Sequence, residues 1–494
     1  MALPPTPTPL PPAEEGSARR AAVAGAPEPS PPLTATTSVR PPPPQTRPWS
    51  RALGRALVGG ERHGRTLLQR GQRLAAARPR RVAGVLVAFA LVACVAPLVA
   101  LRSRGAETAA APSASASGSV ALAALAPKPF APPAALAGLD LRSIALDDNG
   151  AIASAAGGRV ARLTLDPVLQ LATTKLLIKH KVPQAVAVVI EPQTGKILAY
   201  ASRGADRDLA VDSFAPSASV FKIITGAALV QVAGVPIDTK LCYSGGEQKL
   251  VASDLKDDPK RDLYCATLAQ AMGRSINVVF AKLASRKLEP PDLNAIATQF
   301  GYGGPIPFDV PVTPSKLDIP TEPLEFARAA AGFWHSTLSP LHAALVGATV
   351  ANGGVMMRPW IVGEIDDGSK VVYKAPAPSA LRKVIEPATA TELGKMMLET
   401  TTQGTSYKAF HDGKGKAFLP GIEVAGKTGT LNQPQPVKLF TWFVGFAPAK
   451  TPKVAIAVLA VNDPVWKVKA NVIAREVLQA YFAEQGSQGV VAPE

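Results

Sequence analysis

The chain has 494 residues, enough for one large domain or two ordinary ones with additions, and carries a formal net charge of +16. Thirteen arginines, no lysine and four acids precede Val82, so that part carries +9 and the remainder +7. Basic residues clustered ahead of an apolar span need no nucleic acid to explain them, and five scattered histidines with three cysteines offer no metal-ligand spacing.

Fifteen of the first fifty residues are proline, with few apolar residues between them. Such a stretch cannot bury enough surface to offset its ordering entropy, so residues 1–81 are expected to form a disordered Pro/Arg-rich tail. Val82 to Leu101 then runs without a charge. At about 1.5 Å per helical residue it is long enough to cross a hydrocarbon core of roughly 30 Å, as a single transmembrane helix. The long leader ahead of it favours an uncleaved anchor over a signal peptide. The basic flank should stay cytoplasmic, which puts the C-terminal bulk outside the membrane.

Residues 102–137, rich in Ala, Ser and Pro, read as a linker, and residues 138–162 as a short β-rich prelude with a turn at Asp147–Gly150. A packed domain is expected over 163–485, followed by a tail at 486–494. Its first helix opens in Leu163–Gln170 and runs toward Lys181. Ala185–Ile190 and Lys196–Ser202, joined by Glu191–Gly195, form a hairpin; Thr441–Phe446 and Lys453–Val461 form another, with a final helix over Val468–Phe482. The middle reads as helical. The economical arrangement is an α/β fold of three layers, α/β/α: an antiparallel sheet of about five strands flanked by helices, with an inserted all-helical lobe. Cys94 reads as an apolar filler of the span. Cys242 and Cys265, both on the exported side, are expected to form a disulfide.

Three short motifs stand in order along this domain. Ser219 and Lys222 lie three apart at the start of an apolar helix, so they share one face about 5–6 Å apart at Cβ. A partly desolvated lysine at a helix N-terminus can serve as a neutral amine and take the serine proton. Ser275-Ile-Asn277 follows Gly273, which interrupts the apolar pattern and suggests a turn between helices. Lys427-Thr-Gly-Thr430 lies on or beside a strand, with two hydroxyls and an ammonium suited to a carboxylate, and Gly429 where a substrate backbone could approach. Singly, these are ordinary caps, turns and edge-strand residues.

Together, in that order, they resemble the active site of the penicillin-binding protein and serine β-lactamase superfamily. Leu163–Gln170, Glu191–Ala199, Leu338–Leu341, Ala351–Gly354 and Thr401–Thr405 are also similar to penicillin-binding transpeptidase domains, so the resemblance runs roughly from Leu163 to Glu484. It implies Ser219 as the nucleophile, Lys222 as general base, Ser275 as proton carrier to the departing D-alanine, and Lys427 as its electrostatic support. Asn277 would bind the donor stem, Thr428 and Thr430 the terminal carboxylate, and the N–H groups of Ser219 and Thr430 would form the oxyanion hole. The implied partners are peptidoglycan stem peptides and β-lactams, the inner membrane through one helix, and proteins of a wall-synthesis complex. No metal or cofactor is called for.

The resemblance implies a membrane-anchored D,D-transpeptidase. A D,D-carboxypeptidase of the same mechanism, or a non-catalytic penicillin-binding scaffold or sensor, are the alternatives. A β-lactamase is disfavoured because no Glu-x-x-x-Asn deacylation signature stands near Glu322 or Glu325.

Overall fold

The computed structural model describes residues 130–246 and 249–488, with side chains through Gln485. The Pro/Arg-rich tail, the Val82–Leu101 span, most of the linker and residues 489–494 lie outside the described residues. Among the described residues no helix is long and apolar enough to cross a membrane.

Five antiparallel strands form the central sheet, in the order Ala425–Pro434, Val437–Ala447, Val454–Asn462, Gln184–Ile190, Ile197–Arg203. The two hairpins expected from the sequence are both there. The last strand of the second pairs with the first strand of the first, so residues far apart in sequence share one sheet. Alternation along Gln184–Ile190 divides its side chains between the two faces. Val186, Val188 and Ile190 enter one core with Leu341 and Leu345 of the Pro340–Ala351 helix. Ala185, Ala187 and Val189 enter another with Leu169 and Leu177 of the Pro167–His180 helix and with Ile473 and Val477 of the Ala470–Gln488 helix. A strand buried on both faces reads as an unbroken apolar run, which is what Ala-Val-Ala-Val-Val-Ile is.

The Pro167–His180 helix starts where Asp166 accepts from the Val168 and Leu169 N–H groups and Pro167 supplies its first residue. It ends at Lys181 in the left-handed region, φ 51°. The final helix continues through Gln488, three residues into the expected tail.

Three expectations need correction. The prelude is half a sheet: Ala145–Asp147, Gly150–Ala155 and Arg159–Leu163 are completed by Val362–Asp366 and Val371–Lys374 from far along the chain. The stretch read as the end of the linker holds a 3-10 turn at Ala134–Leu136, and Leu136 is buried in the core. The inserted lobe is not all-helical. Short pairs interrupt it: Lys240–Tyr243 with Tyr264–Thr267, Ala215–Pro216 with Thr337–Leu338, and Val355–Met357 with Ala380–Lys383. Strands of two to four residues are too short for alternation to reveal. The first of these pairs sets Cys242 opposite Cys265, and the two are joined by a disulfide.

Candidate active site

Ser219 sits in a 3-10 turn, Ala218–Phe221, that leads into the Lys222–Gln231 helix. Ala218 holds φ at 49°, a left-handed conformation costing roughly 1 kcal/mol for a residue with a Cβ. The Ala218 carbonyl packs against Gly332, where a Cβ would come within 2.3 Å of it. This close contact presses the 331–332 segment onto the turn that carries Ser219.

Lys222 is fully buried. Its Nζ lies 2.9 Å from Ser219 Oγ, 2.6 Å from Asn277 Oδ1 and 2.5 Å from the Ala331 carbonyl. Burial pushes its pKa well below the ordinary lysine value, and the nearby Lys427 charge adds to the shift. A neutral amine has two N–H groups and one lone pair. Two N–H groups match the two carbonyl oxygens, leaving the lone pair for the Ser219 O–H.

Ser275 terminates the Leu268–Arg274 helix in the left-handed region, φ 60°. That helix starts with a capping box in which Thr267 and Gln270 satisfy each other's N–H groups. Gly273 is not the break: it lies inside the helix, where a Cβ would come within 2.5 Å of Glu399 Cβ. It is small because the Pro387–Thr402 helix passes against it. Asn277 opens the next helix, Asn277–Lys287, two residues beyond Ser275.

Lys427 is also fully buried, on the Ala425–Pro434 strand. Its Nζ donates to Ser275 Oγ at 2.8 Å and to the Thr428 carbonyl at 2.9 Å. Burial lowers its pKa to about 7. Gly429 pairs with Trp442, and a Cβ there would crowd both Trp442 and Val220 at 3.2 Å. The sheet's own packing therefore also demands glycine at this position. Ser219, Ser275, Asn277, Thr428, Gly429 and Thr430 line one open cleft of about 320 Å³.

A family model for the penicillin-binding protein transpeptidase domain matches residues 185–479. The chain belongs to that family. It is 27% identical over 316 residues to peptidoglycan D,D-transpeptidase PbpA of Mycobacterium tuberculosis, covering 56% of this chain and 62% of that one. It is 28% identical over 313 residues to a probable peptidoglycan D,D-transpeptidase FtsI of Caulobacter vibrioides, covering 58% of this chain and 49% of that one. The chain thus spans less than two thirds of the length of these curated relatives. Among solved structures, the D,D-transpeptidase domain of a peptidoglycan glycosyltransferase from Eggerthella lenta aligns with a TM-score of 0.56 and 29% identity, covering 66% of this chain and 84% of that one. An imipenem acyl-enzyme complex of penicillin-binding protein A from M. tuberculosis aligns with a TM-score of 0.54 and 25% identity, over 65% of this chain and 79% of that one.

The transpeptidase domain of this chain also uses groups that motif reading passes over. Ala331 contributes a backbone carbonyl, which leaves no mark in side-chain chemistry. Thr405 links the helix that ends at Ser275 to the third motif: its N–H donates to the Gly273 carbonyl at 3.0 Å, and its Oγ1 lies 2.6 Å from Thr428 Oγ1. It ends the Thr401–Thr405 segment already noted for its resemblance, although the sequence alone assigns it no role. Trp442 donates from Nε1 to the Pro216 carbonyl at 2.9 Å, fixing the segment just before Ser219 to the sheet.

Proposed function

We propose that this chain is a serine D,D-transpeptidase that cross-links peptidoglycan stem peptides and is acylated by penicillin. The observation that carries the reading is the set of partners around Lys222 Nζ: Ser219, Asn277 and the Ala331 carbonyl. The names of the relatives, peptidoglycan D,D-transpeptidases, support the same substrate class.

In this reading Lys222 takes the Ser219 proton as Oγ attacks the carbonyl carbon of the penultimate D-alanine. The N–H groups of Ser219 and Thr430 hold the tetrahedral oxyanion, worth several kcal/mol in such sites. Collapse breaks the peptide bond, and the departing D-alanine amine collects a proton through Ser275, which Lys427 supports. Thr428 and Thr430 hold the terminal carboxylate, with Thr428 kept in place by Thr405. The amine of a second stem then attacks the Ser219 ester, forming the cross-link and returning the hydroxyl. The Val82–Leu101 span would anchor the enzyme in the cytoplasmic membrane, with this domain on the outer side.

The test is labelling of the full-length chain with a fluorescent penicillin beside Ser219→Ala, followed by product analysis with stem-peptide substrates. A stable label that vanishes in the variant, with cross-linked dimers among the products, is the expected result. No label on folded wild-type protein would overturn the reading, and D-alanine release without dimers would convert it to a carboxypeptidase.

A further inference from the structure

Three lysines are fully buried among the described residues: Lys222, Lys427 and Lys282. The first two are bonded to residues that line the cleft, Lys222 to Ser219 and Asn277, and Lys427 to Ser275. Lys282 sits in the middle of the Asn277–Lys287 helix and does not line the cleft. Its Nζ donates to Asp262 Oδ2 at 2.7 Å, to Asp257 Oδ1 at 3.2 Å and to the Cys242 carbonyl at 3.2 Å. All three acceptors belong to one segment, which the Cys242–Cys265 disulfide closes into a loop. The same loop is gripped from a second helix. Arg328, near the end of Pro323–Ala330, donates to the Leu250 carbonyl from Nε at 3.1 Å and from Nη2 at 2.7 Å.

These two helices are the ones that present the carbonyl acceptors of Lys222. Asn277 is the first residue of one, and Ala331 caps the C-terminus of the other. Helix ends are the parts of a helix least held by its own hydrogen bonds. The grips fall within five residues of each acceptor, at Lys282 and at Arg328. We infer that Lys282 and the disulfide-closed loop it anchors form a positioning brace that holds Asn277 and Ala331 in register around Lys222. The inference rests on the serine acyl-transfer reading above and assigns that reaction a positioning residue outside its three motifs.

A simple core filler does not account for this arrangement. A methionine would fill the same space, whereas a buried ammonium must recover its desolvation from well-placed carboxylates. The ion pair is sensible where the geometry of the contact matters more than its net stability. Arg286, which donates to Asp257 at 2.8 Å and to the Leu255 carbonyl at 3.0 Å, adds a third hold on the same loop from the Asn277 helix.

The experiment measures the second-order rate of acylation by fluorescent penicillin from about pH 4.5 to about pH 10, wide enough to follow a lowered lysine base. It uses the full-length chain in detergent as wild type, Lys282→Met and Arg328→Gln, and wild type reduced with a phosphine. Loosening the brace lets water reach Lys222 and returns its protonation toward the ordinary range. On the acid side of the lysine's pKa, each unit of that rise removes neutral amine about tenfold. The expected result is therefore an acid limb displaced upward by about one pH unit, with a rate about tenfold lower along that limb that approaches wild type as pH rises. Asp257 and Asp262, both held below the usual carboxylate range, stay ionised throughout, and Lys427 is the charged neighbour of Lys222 common to every sample.

Profiles that superimpose on wild type, or that fall by one factor at every pH, would overturn the brace, since a purely structural role lowers only the folded fraction. If Lys282→Met does not fold, Arg328→Gln and the reduced wild type decide by the same criterion. A wild type that takes no penicillin would instead remove the acyl-transfer reading itself.

Discussion

Lys427 Nζ lies 2.8 Å from Ser275 Oγ although the two residues are 152 apart in sequence. The contact joins the central sheet to the helical lobe across the cleft. Lys427 has its pKa lowered to about 7 by burial, and burial also holds Lys222 well below the ordinary lysine value. Lys427 is thus poised to lose its charge near neutrality, and the buried Lys222 favours its neutral amine.

In the proposed reaction these two lysines set the acidic and basic limbs of the pH dependence of acylation. If Lys222 is the base of the proposed acylation, that step needs it neutral and is lost as pH falls through the lowered Lys222 value. It also needs the Lys427 ammonium, so it declines as pH rises through about 7. Replacing Lys427 with arginine, which stays charged, should remove the basic limb whatever it does to the maximum. Rate profiles of β-lactam acylation check this. A basic limb unchanged in Lys427→Arg would assign it to another group.

Among the described residues, the motif side chain to which Thr405 is hydrogen-bonded is Thr428, at 2.6 Å between hydroxyl oxygens. Thr405→Val keeps the shape and removes that partner. Loss of one such hydrogen bond is worth about 1 kcal/mol, so acylation by carboxylate-bearing β-lactams should slow about fivefold. The defect should appear in apparent affinity for carboxylate ligands, and the melting temperature should change little. An equal loss for a ligand lacking the carboxylate would show that Thr405 acts elsewhere.

The cysteines can be counted directly. The chain has three, Cys94, Cys242 and Cys265, and the last two are joined. Thiol titration of denatured, unreduced protein exported to an oxidising compartment should give one thiol per chain, rising to three after reduction. The double variant Cys242→Ser/Cys265→Ser opens a loop of 23-residue separation and should lose about 3 kcal/mol in urea unfolding. Three thiols before reduction would contradict the link.

The parts of this molecule legible in the sequence are those whose physics is local. The central hairpins announce themselves as apolar runs around Gly- and Pro-containing turns, and the three motifs as contiguous residue types. What stayed hidden depends on long-range contacts. Val362–Asp366 completes the prelude sheet only because the chain returns to Arg159–Leu163 some 200 residues on, a distance read from their pairing. Gly273 looks like a helix breaker, yet it is a close-packing site, since glycine's small size and its flexibility write the same letter. Ala331 acts through a carbonyl that any residue would supply.

Gly332 gives the strictest test of how Ser219 is held. Its φ of 84° already disfavours a side chain, and a Cβ would meet the Ala218 carbonyl at 2.3 Å. Neither neighbour can yield cheaply. Ala218 is itself in the left-handed region, and the preceding Ala331 carbonyl is committed to Lys222. Gly332→Ala should therefore destabilise the domain by about 1–3 kcal/mol, from strain and overpacking together. Below the melting transition, where the variant is still folded, it should also acylate more than tenfold slower, a cost of about 1.4 kcal/mol in the barrier. The two effects separate because displacement of Ala218 moves Ser219, and displacement of Ala331 moves Lys222, without either unfolding the core. Urea unfolding and single-turnover acylation on the same preparation provide the check. A variant that is destabilised but acylates at the wild-type rate would mean that the contact supports the fold and leaves the position of Ser219 unaffected.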